Sequence, residues 1–351
     1  TTVTDPYMAK QFSNTVRGNM FMRLGVTSIF NKNKSGDAYD VTGPVITQQD
    51  LSAAAVTGNQ ILNDTTGKYS QEMIDYYTLD SGLDYTVAVA TISPGVPATG
   101  LGTPAGIKAR VGNGSTPTLS IGYWLSDDYS WVAEAYVLAA PITIKAHGEG
   151  TNYAGKPNGL SGKEILSTKM LPPLLMFGRY FRDQNATFRP YLGVGATYAV
   201  FFDGKTTSAY NDYVGGNSTV SLKNAFGIGP FAGLKTQLSD DWHINLTIGQ
   251  IKLKTEATLV TYNTKFVTGS QVIKDFNADL TTAVAFAETP KAKFVRGVGT
   301  VFVAPVDSQA TTKLMQLVAM SKNQTDLGTY ERKQKQEITS TIVTLSVGRT
   351  F

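Results

Sequence analysis

Apolar and polar side chains alternate with a period of two over stretch after stretch of this chain, which restricts it to β-strands with one greasy face. From Met20 to Phe30 one parity carries Met20, Met22, Leu24, Val26 and Phe30, and the other carries Phe21, Arg23, Gly25 and Thr27. The pattern recurs through Leu119, Ile121, Tyr123 and Leu125, through Leu192, Val194, Ala196, Tyr198 and Val200, and through Ile244, Leu246 and Ile248. At the carboxyl end it continues in Val343, Leu345, Val347 and Phe351. Further strands are predicted at Trp131–Lys145 and Ala225–Leu238, and an eighth, richer in apolar residues on both parities, at Glu164–Phe181.

The connectors sort into two lengths. Ser126–Asp128, Asp183–Thr187 and Ser239–Asp241 are tight and polar, whereas Asn31–Ser115, Gly148–Lys163, Asp203–Thr219 and Thr261–Gln336 are long. A bacterial outer-membrane barrel has this alternation, with short periplasmic turns and long extracellular loops. In lipid every backbone N–H and C=O must be satisfied internally, so amphipathic strands have to close into a ring without edges. No apolar run reaches the roughly 18 residues that a spanning helix needs. Charged residues make only 17% of a chain that holds 34 Gly, 17 Tyr and 16 Phe, against roughly 25% charged in an ordinary soluble domain. The fold class predicted is all-β, an eight-stranded antiparallel transmembrane β-barrel with two long extracellular insertions containing some helix. A soluble barrel of the lipocalin kind has the same alternation with the apolar parity turned inward, and parity alone leaves both open. Aromatic residues near the strand ends (Phe30, Tyr123, Trp124, Trp131, Tyr180, Phe201, Phe202, Trp242) fit interfacial girdles and favour the membrane.

The expected organisation is a periplasmic amino-terminal segment at 1–17 and a single barrel over 18–351, with insertions at 31–115 and 261–336. Thr1 suits an exported protein whose signal peptide has been removed, and the expected location is the bacterial outer membrane. Zero cysteines exclude thiol catalysis, cysteine-based metal centres and disulfides. The net charge of +4 is scattered, with no basic run that would mark a nucleic-acid partner. No cofactor, metal or catalytic residue is predicted. His147 at a loop start and His243 near a short turn fall at opposite ends of a barrel, and Gly159–Lys163 lacks the first glycine of a phosphate loop. A rim cluster of His147 with Asp37, Asp40 or Ser161 is the enzyme alternative, and little in the residues supports it.

Met170-Leu171-Pro172-Pro173-Leu174 is followed by Tyr180-Phe181, a polar turn, and Phe188-Arg189-Pro190-Tyr191-Leu192-Gly193-Val194-Gly195 running on to Tyr198 and Phe201-Phe202-Asp203. Ser221-Leu222-Lys223-Asn224, Phe226-Gly227 and Asp240-Asp241-Trp242 come later, with Gly18–Gly25, Ser126–Asp128, Ala140-Pro141 and Gly348–Phe351 around them. In order and spacing this series resembles the OmpW family of small outer-membrane barrels. Two departures stand out: the first and last loops are much longer than the family carries, and Arg349 occupies the lipid parity just before Phe351, where a long side chain can snorkel.

Eight strands enclose an interior only just wide enough to be filled by side chains, which argues against a general aqueous pore. Proline inside a strand withholds a ladder donor, so Pro172-Pro173 predicts either a bulge or an opening, and Pro230 weakens a second ladder in the same way. The family resemblance implies that the proline pair is a lateral gate, through which a small hydrophobic solute leaves a narrow lumen for the outer leaflet. Met170, Leu174, Met176, Phe201 and Phe231 are the inward-facing candidates to line that passage, or simply to plug it. The contrasting reading is structural, with the insertions driving a homo-oligomer or surface lattice. Asp50–Leu62, Gln71–Tyr77 and Thr311–Asn323 have helical composition, with Leu314, Leu317, Val318 and Met320 on one stripe, and Phe294–Val303 reads as a strand. The apolar spans Ala53–Val56 and Ala283–Ala287 need burial, either in a shared cap or against a second copy. Outer-membrane lipid and lipopolysaccharide are the expected partners besides a solute.

Overall fold

The computed structural model describes residues 18–42, 46–80, 82, 84–92, 108–138, 140–149, 157, 159–265 and 308–351. The amino-terminal segment 1–17, the strand expected at Phe294–Val303 and the span Ala283–Ala287 lie outside them. In chain order the elements are β1 (Met20–Ser35), β2 (Tyr39–Asp40), α1 (Gln48–Leu62), α2 (Gln71–Tyr77), α3 (Tyr85–Ile92), β3 (Lys108–Val111), β4 (Gly114–Trp124), β5 (Trp131–Leu138) and β6 (Ile142–Glu149). They continue as β7 (Glu164–Leu171), β8 (Leu174–Tyr180), β9 (Phe188–Thr206), α4 (Ser208–Val214), β10 (Asn217–Leu222), β11 (Ala225–Gln237), β12 (Trp242–Tyr262), α5 (Ser308–Ser321) and β13 (Tyr330–Thr350).

Antiparallel pairing runs β1 to β4, β5, β8, β9, β11, β12, β13 and back to β1, which closes an eight-stranded ring. Two of the strands expected to be continuous are interrupted. The third barrel strand divides into β5 and β6 before Pro141, and the fourth into β7 and β8 at Pro172-Pro173; the sixth is continuous as expected in β11, with the short β10 added before it and separated from it by Lys223-Asn224. Other strands run further than the loop lengths suggest. β1 continues to Ser35 and β13 already begins at Tyr330, so both penetrate the ranges assigned to the insertions. Above the membrane the ladder between β1 and β3 is made by side chains: Asn33 accepts from the Val111 N–H and donates to the Ala109 carbonyl, and Asn31 donates to the Gly112 carbonyl.

Which parity faces outward is decided by the packing. Met20, Met22, Leu24 and Val26 are exposed while Phe21, Arg23 and Thr27 are buried, and Leu24 keeps 65% of its surface. Leu192 and Leu345 keep 58% each. The apolar parity is therefore on the outside all round the ring, which is the membrane arrangement and the inverse of a soluble barrel. Arg349 also points outward, next to Asp241 at 3.7 Å and over the rings of Trp242 and Phe351. It occupies the aromatic girdle at the short-turn end rather than the hydrocarbon, so its charge is tolerated.

The two insertions meet in one helical cap. Leu51, Ala54, Ala55 and Ile61 of α1, Tyr77 of α2, Tyr85 of α3 and Leu314, Leu317 and Val318 of α5 share a buried core with Ile46, Leu327 and Tyr330. The helices over Gln48–Leu62 and Gln71–Tyr77 are those expected from composition, whereas α3 is rich in Val and Thr and carries no helical signal. Met320 is only partly buried, and within Ala53–Val56 the two central alanines are covered while Val56 is exposed. Truncating Leu317 to Ala is expected to cost the cap about 2–5 kcal/mol, read as protease cleavage of the cap in detergent while the barrel stays intact.

Asp50 ties the insertions together. Its carboxylate accepts from the Thr47 N–H in a capping box and pairs with Lys322 at 3.1 Å. Burial opposes its ionisation, but the Thr47 hydrogen bonds and the Lys322 ammonium outweigh that and hold the carboxyl below its ordinary value. The sign follows: this contribution is complete above about pH 4, the ordinary carboxylate value, and is lost as pH falls through the lower folded value. Asp50→Asn is expected to remove that part of the acid sensitivity of the cap, measured by proteolysis across pH 2–5.

Candidate functional site

Pro172 and Pro173 leave β7 and β8 with no donors at two successive positions, and the consequence is asymmetric. Toward β9 the register is kept across the pair, from Leu171↔Val200 to Leu174↔Thr197. Toward the third barrel strand it is lost. The last pair below is Tyr136↔Leu174 and the first above is Ile142↔Met170, so among the described residues Val137, Leu138, Ala140 and Pro141 have no register pair with Leu171–Pro173. The two sides differ in length, which prevents simple closure. Neighbouring hydroxyls take up carbonyls freed by the break: Thr116 on β4 donates to the Ala140 carbonyl at 3.0 Å, and Thr197 on β9 donates to the Pro173 carbonyl at 2.7 Å.

Behind this gap lies a lumen cavity of about 40 Å³. Leu138, Met170, Pro172 and Leu174 form the wall beside the unpaired stretch, and Ile251, Leu253 and Ile342 form the far side. The hydroxyls of its threonines are engaged with one another, Thr118 donating to Thr27 at 2.7 Å and Thr27 bonding Thr344 at 2.8 Å. What they turn to the cavity is mainly methyl groups, so a ligand here is selected by size and greasiness. Of the predicted site residues, Met170, Pro172 and Leu174 are brought together at the cavity. Phe201 is buried beside Met170 in the apolar cluster above, while Met176 and Phe231 are buried with Ile251 in the cluster below. The Phe231 ring fits against Gly195 and Gly249, where a Cβ would come within 2.3 and 2.2 Å of it.

Pro173 and Pro230 are exposed on the outer face. Pro230 stays in register with Val194 of β9, but between Ile228↔Lys252 and Phe231↔Gly249 the β11 to β12 ladder skips two positions. It lies two strands from the proline pair and does not reach the cavity.

Toward the short turns the lumen is closed by charge. Arg23 Nη1 donates to both oxygens of Glu134 at 2.8 and 2.7 Å, Nη2 donates to Tyr180 Oη at 3.1 Å, and Nε donates to His243 Nε2 at 3.0 Å. Ser120 adds a donor to Glu134 at 2.6 Å. Tyr180 and Tyr191 stack beside this group at 4.4 Å between centroids, and Tyr191 Oη bonds Thr247 at 2.6 Å. Arg23 and Glu134 are both fully buried. These residues were not among the sequence candidates. Their signal was legible in part, because a charge on the lumen parity of a spanning strand needs an opposite charge across the interior. Toward the extracellular end, Tyr210, Tyr213 and Val214 of α4 pack with Leu160, Leu166, Val220 and Leu259 and fill the upper lumen with apolar groups.

The model of the OmpW family matches residues 82–287, more than half of the chain. The chain belongs to the OmpW family. Outer membrane protein W of Vibrio cholerae is 33% identical over 144 residues, which cover 40% of this chain and 59% of that protein. Outer membrane protein W of Escherichia coli is 34% identical over 96 residues, 27% of this chain and 43% of that one. Outer membrane protein AlkL of Ectopseudomonas oleovorans is 26% identical over 148 residues, 42% and 56%. The chain thus spans about half the length of these relatives. In fold it is similar to the outer membrane protein OprG from Pseudomonas aeruginosa, with a TM-score of 0.50 at 15% identity, covering 95% of this chain and 96% of that one. These relatives are outer-membrane proteins, and the fold and exposed apolar belt place this OmpW-family barrel in the outer membrane. His147 is on β6 near the extracellular end, in register with Arg110 and Glu164, and His243 is in the charged network at the other end. Among the described residues no group of three or more metal-ligating side chains is assembled.

Proposed function

We propose that this barrel passes small hydrophobic molecules from the cell exterior into the outer leaflet, through the gap between Val137–Pro141 and Leu171–Pro173. The observation that carries the reading is the position of the apolar cavity, whose lining includes Leu138 and Pro172 of the unpaired stretch. A solute moving down the lumen meets the Arg23–Glu134 network, where desolvating two charges with nothing to replace their partners is prohibitive. Sideways it meets apolar side chains and lipid. The cavity is far smaller than the several hundred Å³ of a formed ligand site, so passage requires α4 to give way above and the gap to widen. The reading is non-enzymatic.

The test is uptake by cells carrying the protein against cells without it. A poorly soluble aromatic hydrocarbon should be taken up several-fold faster, while a sugar of similar mass should show no difference. Equal acceleration of both would sink the lateral route in favour of an aqueous pore.

A second reading has an observation of its own. The cap has its own core and leaves Val56, Tyr76 and Val87 exposed, which suits an assembly surface. Light scattering of the detergent-extracted particle, with the detergent mass removed, distinguishes it. A single 37.7 kDa chain supports the gated monomer, and a discrete multiple that is lost when residues 48–92 are deleted supports assembly.

A further inference from the structure

The outer face carries an unbalanced cluster of lysines at one place on the ring. On β1 the last apolar outward residue, Phe30, is followed by Lys32 and Lys34, and on β12 Ile248 is followed by Gln250, Lys252 and Lys254. Lys335 stands on β13 between these strands, and Lys223 follows β10. All are exposed. Lys34, Lys223, Lys254 and Lys335 surround a groove of about 520 Å³, together with Glu256, Glu337, Asn224 and the backbone at Gly36. Glu256 engages Lys223 at 2.8 Å and Glu337 lies 3.8 Å from Lys254. Lys32, Lys34, Lys252 and Lys335 have no carboxylate within 4.0 Å among the described residues. On the β6, β7 and β9 side of the ring the lysines are matched: Lys169 and Lys205 share Asp203 at 2.7 and 3.3 Å, and Lys145 meets Glu164 at 3.0 Å.

Height gives the cluster its meaning. From Trp242, in the girdle at the short-turn end, β12 rises about 33 Å along the strand to Lys252. At a tilt of about 40° that is about 25 Å, the height of the apolar belt of an outer-membrane barrel. The lysine row thus sits where hydrocarbon ends and phosphates begin in the outer leaflet, and the groove rises above it among donors and acceptors suited to hydroxyl groups. We propose that this face binds the phosphorylated sugar headgroup of an outer-leaflet glycolipid, with the lysines on its phosphates and Asn224, Glu256 and Glu337 facing its sugar. Lysine holds phosphate as a point charge and needs no fixed fork geometry, so a row of flexible lysines is sufficient.

The test is binding of purified lipopolysaccharide to the detergent-solubilised full chain, followed by native mass spectrometry. Lys34→Gln/Lys252→Gln/Lys335→Gln should weaken binding roughly tenfold or more. Lys145→Gln/Lys169→Gln/Lys205→Gln, on the matched face, should bind as the parent does. Both variants should keep the heat-dependent gel mobility of a folded barrel, since all six side chains are exposed and none is part of the packed interior. Phosphatase-treated lipopolysaccharide should bind the parent as weakly as the intact form binds the first variant. Equal losses in the two variants, or none in the first, would overturn the proposal. So would phosphatidylglycerol binding as tightly as lipopolysaccharide, or inorganic phosphate displacing it at matched concentration, because either would mean that the sugar is not read.

Discussion

Converting Pro141, Pro172 and Pro173 together to valine is expected to lower uptake of a hydrophobic solute about tenfold or more, by closing a gate rather than by harming the fold. Each replacement restores a ladder donor and adds a β-branched side chain that favours the strand. The facing segments Val137–Pro141 and Leu171–Pro173 differ in length, so the repaired ladder must absorb the excess as a bulge. Pairing across a lipid-exposed gap is favourable once donors exist, because every unpaired group there is costly. The variant should therefore unfold no more easily than the parent while its amides at 171–173 become protected from hydrogen exchange. Protected amides with uptake unchanged would refute the gate, since the passage would then be shown to lie elsewhere. Pro230→Val alone is expected to leave uptake unaltered, because that residue stands on the outer face away from the cavity.

The second large effect concerns the charged floor of the lumen. Arg23→Met leaves Glu134 fully buried with Ser120 as its remaining donor, and the expected loss is about 3–5 kcal/mol. Urea unfolding in detergent reads it through the fluorescence of Trp124, which packs on Phe21 and Tyr180 beside the pair. Removing the partner as well, in Arg23→Met/Glu134→Met, should restore most of that loss, because the cost lies in the orphaned charge more than in the absent attraction. A double variant as unstable as the single one would show instead that the arginine contributes through its contacts with Tyr180 and His243. In neither case does the barrel lose its outer belt, so membrane insertion should be retained.

Helix-compatible composition made α1 legible from Asp50 onward, and the stripe of Leu314, Leu317 and Val318 marked α5. Helix α3 escaped because Val and Thr at Tyr85–Ile92 prefer strands in isolation, and its helical form depends on packing Tyr85 against α1 and α5. Pro172-Pro173 was visible as a break, but the break matters only against Val137–Pro141, and that opposition is a property of register.

By itself the sequence determined the eight barrel strands, their short and long connections, and the position of the apolar belt, because period-two patterning is a local signal that survives without any knowledge of partners. The tertiary structure decided that the belt faces outward, that the unpaired wall opens on one side of the proline strand only, and that Arg23 meets Glu134 across 111 residues of chain. Those facts depend on which strand lies beside which and with what offset, and a single chain read along its length contains no measure of distance across the ring.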